Sequence, residues 1–260
     1  MTPRFLARLS LALALGLSLD ATRAAAQAPV LPFQPGEVLH FQVRVSRLGD
    51  VGKGRMWIEG PVEDGGVHVW LLRFEMEARK GPIRASDRTA SWLDALRFGI
   101  VRFEKRERHV LSSSDERVRI DLAAARWFDA DGDGGVLAAS EPLDELSFIY
   151  YLRTLPLDSG SVDSVSRHFD AARNPTILTV IGRDTLSTPA GIFVTRIVEM
   201  RVRDPKRYRG TGIIRIHIDE GACRMPIRIE SRMPVLGETT LTLIGWGHPP
   251  GYPSAEPCSP

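Results

Sequence analysis

From residue 39 onward the chain alternates apolar and polar side chains. Leu39, Phe41, Val43 and Val45 fall on one side, and His40, Gln42, Arg44 and Ser46 on the other, the pattern of a strand with one wet face. Gly49, Gly52 and Gly54 predict a turn into a strand over 55–59, and residues 61–66 predict the next turn. Further strands are expected over 67–78, 89–92, 98–105, 117–122 and 126–128. A second series is expected over 176–181, 192–203, 211–219, 226–232 and 238–246. Its clearest member sets Ile214, Ile216 and Ile218 against Arg215, His217 and Asp219. Many strands joined by short turns imply antiparallel meander pairing, because parallel neighbours need long crossovers.

One segment departs from this period. Leu143, Leu146, Ile149, Tyr150 and Leu152 recur near the helical repeat. Pro142 suits the start of a helix over 143–155 and Pro156 its end. The expected fold class is therefore mainly β: a strongly curved antiparallel sheet or open β-barrel with one packed helix near 143–155.

Ahead of the strands, Arg4 and Arg8 flank a basic start, an apolar run covers 9–19, and Ala24, Ala25 and Ala26 follow. This is the pattern of a cleaved signal peptide over 1–26, too short in its apolar run to span a bilayer. The remaining chain divides into a lead-in over 27–35, a single β-rich domain over 36–246, and a proline-rich tail over 247–260. No transmembrane span is expected in the mature chain, which would work in the periplasm or cell envelope, soluble after cleavage.

Removing the leader changes the charge. The full chain has 34 Lys and Arg against 32 Asp and Glu; without Arg4, Arg8, Arg23 and Asp20 there are 31 of each. A balanced chain lacks the positive field that nucleic acid or an anionic membrane surface selects. The run 102–109 reads as a solvated edge strand that resists aggregation by alternating its charges, and 201–209 as a charged hairpin tip. Two cysteines, Cys223 and Cys258, form an even set in an exported chain and are the expected disulfide, with free thiols the alternative.

Candidate chemistry is sparse. Asp129, Asp131 and Asp133, with Gly134 and Val136, follow the opening of a calcium loop, but Ser140 stands where the closing glutamate belongs. Calcium is a candidate cofactor on those three carboxylates, and an acidic turn is the competing reading. His40, His68, His109, His168, His217 and His248 show no helical metal-pair spacing. His40 and His217 lie on polar strand faces and are the pair that folding could bring together. The chain contains no GxSxG, HExxH, P-loop or GxGxxG pattern.

Three ordered stretches resemble a known family: residues 142–157, residues 187–193 leading into a long strand, and residues 224–230 with 236–243 as a closing hairpin. Together, over about 36–246, they resemble the exported family known as domain of unknown function 3108 (DUF3108). The resemblance implies a signal-bearing, β-rich envelope protein and supplies no catalytic residues. The cysteine-bearing tail and the acidic loop depart from it.

The expectation is a non-enzymatic protein that binds or carries a lipid or other apolar small molecule in the concave side of its sheet. Phe41, Trp57, Trp70, Phe74, Phe148, Tyr151 and Trp246 are the candidate lining. An envelope module that binds a partner protein along a strand edge is the alternative, and a hydrolase of envelope polymers the second alternative.

Overall fold

The alternation is realised as fourteen antiparallel strands of one sheet in a computed structural model that describes residues 31–109, 112–204, 208, 210–233 and 237–247. In chain order they are β1 (Val38–Val45), β2 (Gly49–Asp64), β3 (Val67–Lys80), β4 (Ile83–Asp94), β5 (Gly99–His109), β6 (Ser112–Asp121), β7 (Arg126–Asp129) and β8 (Gly134–Val136). After helix α1 (Glu145–Leu152) come β9 (Val162–Val165), β10 (Thr176–Thr188), β11 (Gly191–Asp204), β12 (Gly210–Asp219), β13 (Pro226–Met233) and β14 (Gly237–Gly247). The signal-peptide segment, the cleavage point, Cys258 and tail residues 248–260 lie outside the described residues.

Consecutive strands pair throughout except β8 and β9, and one further pairing makes the fold. β1 pairs with β14, through Leu39↔Trp246 and Val43↔Leu241, so an arm of eight strands and an arm of six share one seam. The sheet does not close: β8 and β9 are its two edges. Both are short, as exposed edges tend to be. The sheet rolls up all the same. β10 lies against β14 although β13, β12 and β11 separate them in the pairing order. The inner face collects Leu39, Phe41, Val43, Met56, Ile58, Leu72, Phe103, Ile216, Ile218 and Leu243 into one core.

Helix α1 is shorter than the periodicity suggested because its caps set its limits. Asp144 is the N-cap, accepting from the backbone N–H of Leu146 and Ser147, while the Ser147 hydroxyl accepts from the Asp144 N–H. This reciprocal arrangement is a capping box. Leu143, expected inside the helix, instead bridges to His168. At the other end Arg224 donates to the carbonyls of Arg153 and Leu155. A cation from a distant turn thus supplies the C-terminal charge complement that the helix's own last turn lacks.

Two turn expectations are corrected. Gly49, Gly52 and Gly54 lie within β2, which runs on to Asp64, and the turn into β3 is Gly65-Gly66. Gly52 marks a close approach: a Cβ there would stand 1.9 Å from the Glu77 carbonyl oxygen and 2.7 Å from the Ala78 Cα. Gly52→Ala is expected to lower the unfolding free energy by about 1–3 kcal/mol by overpacking, read from urea denaturation. An unchanged midpoint would show that the β2–β3 spacing gives way freely. The run 102–109 is not an edge either, since β5 lies between β4 and β6. Its outward charges find cross-strand partners, such as Arg106 with Asp115 at 3.3 Å. The 201–209 run begins as the last four residues of β11 and continues into its connection to β12, with residues 205–207 and 209 outside the described set.

Candidate functional site: a cavity with an apolar body and a charged end

Rolling the sheet forms a cavity of about 250 Å³. The first arm contributes Val43, Met56, Phe74 and Met76, the second Met200, Ile216, Ile229 and Leu241. Helix α1 closes the wall with Leu146, Phe148 and Ile149. These are the inward positions of their strands, so the alternation that builds the core also builds the cavity. Three of the eight strand residues are methionines, whose unbranched side chains adapt to irregular contents.

One end is charged. On β5 the inward parity of Phe103 continues through Lys105, Glu107 and His109, and on β11 that of Met200 continues through Val202 to Asp204. Arg173, from the short 3-10 turn Ala171–Arg173, meets Glu145 at 2.6 Å, Glu116 at 3.6 Å and Asp204 at 3.8 Å. Lys105 lies 3.4 Å from Glu107 and 3.6 Å from Glu145. Burial pushes Glu145 up, but Lys105, Arg173 and His168 together outweigh it and hold the carboxyl well below the usual range. Burial and the neighbouring Glu145 hold Glu116 above its ordinary value. His168 is pushed down to about 4, first by burial. His109 and Asp87 pair at 2.6 Å on the same lining.

The opposite end of α1 is closed by rings. Phe33 meets Tyr150 at 5.0 Å between centroids, and Trp70 and Phe98 at 6.2 Å each. Beneath them Arg153, fully buried, holds the Glu37 carboxylate at 2.6 and 2.7 Å. It also donates to the carbonyls of Pro32 and Cys223. The N-terminal end of α1 therefore adjoins the charged part of the cavity, and its C-terminal end the aromatic cluster.

The family described as "Protein of unknown function (DUF3108)" matches residues 40–244. The chain belongs to DUF3108. A crystal structure of a β-barrel-like protein of domain of unknown function DUF1849 from Brucella abortus shares this fold. The TM-score is 0.54 at 9% identity, over 82% of this chain and 97% of that one. An exported protein, so described provisionally, with a YmcC-like fold from Bacteroides fragilis aligns over 84% of this chain and 98% of its own. Its identity is 11% and its TM-score 0.31. A protein from Parabacteroides distasonis, provisionally described as a lipoprotein, aligns over 84% and 97% with 9% identity and TM-score 0.32. No curated protein matches the chain.

Within this DUF3108 chain the expected lining residues separate. Phe74 and Phe148 line the cavity. Phe41 is fully buried in the core beside it. Trp70 packs on Phe33 and Tyr151 on Phe98 and Phe148, both in the ring cluster. Trp246 packs against the core from β14. Trp57 lies on the outer face, because Met56 and Ile58 take the inward positions of β2; Arg55 covers its ring at 3.8 Å and its indole N–H donates to Glu59. Size suggested these residues, and strand parity decides between them.

The acidic loop is the β7–β8 hairpin tip. The Asp129 N–H donates to the Asp133 carbonyl, and Asp129 accepts from the Asp131 N–H. Among the described residues no three His, Cys, Asp or Glu side chains are grouped to hold a metal ion. β13 and β14 separate the strands of His40 and His217. Cys223 is buried in the turn between β12 and β13, and its expected partner Cys258 is outside the described residues. No described helix is long and apolar enough to cross a membrane.

The residues of the charged end were not singled out as a site by sequence. Glu145, His168 and Arg173 come from three separate segments with no common spacing. The legible signal was the parity of β5, where Phe103 assigns Lys105, Glu107 and His109 to the inside.

Proposed function

We propose that this DUF3108 protein is an exported, non-enzymatic carrier that holds a lipid chain or similar apolar molecule in the cavity of its rolled sheet. The observation that carries this reading is the cavity's composition: apolar side chains from both arms and from α1 around about 250 Å³. That is close to the lower end of small-molecule sites, about 300–1,000 Å³, and suits one alkyl chain better than a two-chain lipid. The basic start, apolar run and Ala24–Ala26 junction support export. A Cys223–Cys258 bridge would suit that compartment.

Native mass spectrometry of the mature protein, purified from the export compartment without detergent, tests the reading. Adducts of single-chain lipid mass, shed on mild activation, are the expected result. A bare protein mass that stays bare after incubation with envelope lipids would remove carriage and turn attention to partner proteins. The same spectrum reads the bridge as the loss of about two hydrogens.

A further inference from the structure

We propose that the charged end of the cavity receives an amphiphile head that is polar but uncharged, an alcohol, which donates its O–H to Glu145 and accepts from His168. This rests on the carriage reading and names the class of ligand.

His168 is 6% exposed and lines the cavity. Its Nδ1 accepts from the Asp170 N–H at 3.0 Å, which assigns the ring proton to Nε2. That Nε2 has no hydrogen-bond partner. With its pKa pushed down to about 4 by burial, the ring is neutral near pH 7 and offers one N–H without a charge. Glu145 presents the complement. Its Oε1 takes Arg173 and Lys105, while its Oε2 is buried with no partner. A donor and an acceptor are thus left unmet on one lining, and leaving buried polar groups unmet is costly. A hydroxyl group carries the complement of each, a proton for the carboxylate and a lone pair for the N–H.

The surrounding charges disfavour an ionic head. Arg173 already faces Glu145, Glu116, Asp170 and Asp204, and Lys105 faces Glu107 and Glu145. An entering carboxylate or phosphate would meet acids that have taken these cations. Against an ammonium stand the two cations themselves, Arg173 and Lys105, and the His168 Nε2–H, which offers it a proton and no lone pair.

Calorimetric titration of the mature protein near neutral pH with decanol, decanoate and decylamine, and with decane as the headless control, tests this. Decanol is expected to bind roughly tenfold more tightly than either charged ligand, equivalent to about 1.4 kcal/mol. His168→Phe is expected to bring decanol to the affinity of decane, and Glu145→Gln to raise that of decanoate. Equal affinity for all three heads, or a preference for a charged one, overturns the head assignment and leaves carriage standing. Absence of binding by any of the four overturns both. The wild-type series decides even where a variant does not fold.

Discussion

Replacing Arg153 with methionine is expected to lower the unfolding free energy by about 3–5 kcal/mol, the usual cost of breaking a buried ion pair from one side. Arg153 is 0% and Glu37 4% exposed, so the carboxylate would stay behind without its cation and without water. The pair is bidentate, and the same guanidinium serves the carbonyls of Pro32 and Cys223 and stacks 4.8 Å over Phe33. Its loss therefore leaves the Glu37 carboxylate without its cation and takes one donor from each of the Pro32 and Cys223 carbonyls. The double variant Glu37→Leu, Arg153→Met is expected to recover much of the deficit, since an apolar pair needs no partner. Urea denaturation of the single and double variants measures both effects. A single-variant loss below about 1 kcal/mol, the range of exposed pairs, would show that water reaches Glu37.

The arrangement explains how one short helix forms a stable wall for a cavity. An isolated helix of eight residues is far below the length that holds itself together in water. Here both ends are fastened: the helix's own Asp144 and Ser147 close the first turn, Arg224 from a distant turn caps the last, and Arg153 reaches the lead-in. Arg224 adopts a left-handed backbone, φ 46, to do so, a conformation costly for a residue with a side chain. The helix is held at its ends, and its inward face need not be packed solid. Leu146, Phe148 and Ile149 can line an unfilled space.

Where a strand has one wet face, its sequence shows which side is inside. Leu39, Phe41, Val43 and Val45 are buried as their alternation required, and so are Ile216 and Ile218. Legibility fails where an inward position is polar. Asp87, Lys105 and His109 face the cavity, so the ends of β4 and β5 read as solvated and their strands as shorter than they are. Glycine misled for another physical reason. Gly52 serves a close interstrand approach, where an added Cβ would stand 1.9 Å from the Glu77 carbonyl oxygen, and local sequence does not distinguish this from a turn. The charged end was the least visible feature. The alternating signs of 102–109 average inward and outward residues together, and only the parity set by Phe103 separates them.

Asparagine at position 144 is expected to remove a destabilising contribution that grows in the wild type between about pH 4 and pH 7. Asp144 is fully buried, and burial foremost raises its pKa from 3.8 to about 7, against the opposing backbone hydrogen bonds from Ser147 and Leu146. The folded state then binds a proton that the unfolded chain has released, so each step up in pH through this window weakens the fold. Three pKa units correspond to about 4 kcal/mol. Asp144→Asn keeps an oxygen to accept from Leu146 and Ser147 and has no charge to bury. Its stability should match the wild type near pH 4 and exceed it by that order above pH 7. His168 works in the opposite sense. Its pKa falls from 6.5 to about 4, so the unfolded chain binds the extra proton and acidification through that range weakens the fold. The two slopes oppose each other in the wild type, which should be nearly level from about pH 4 to 6.5. Asp144→Asn should expose the histidine alone, with stability rising with pH. His168→Gln should expose the aspartate, with stability falling. Urea midpoints across a pH series read all three profiles. An Asp144→Asn curve parallel to the wild type would mean that the N-cap carboxyl does not titrate there, and that its charge is met within the fold.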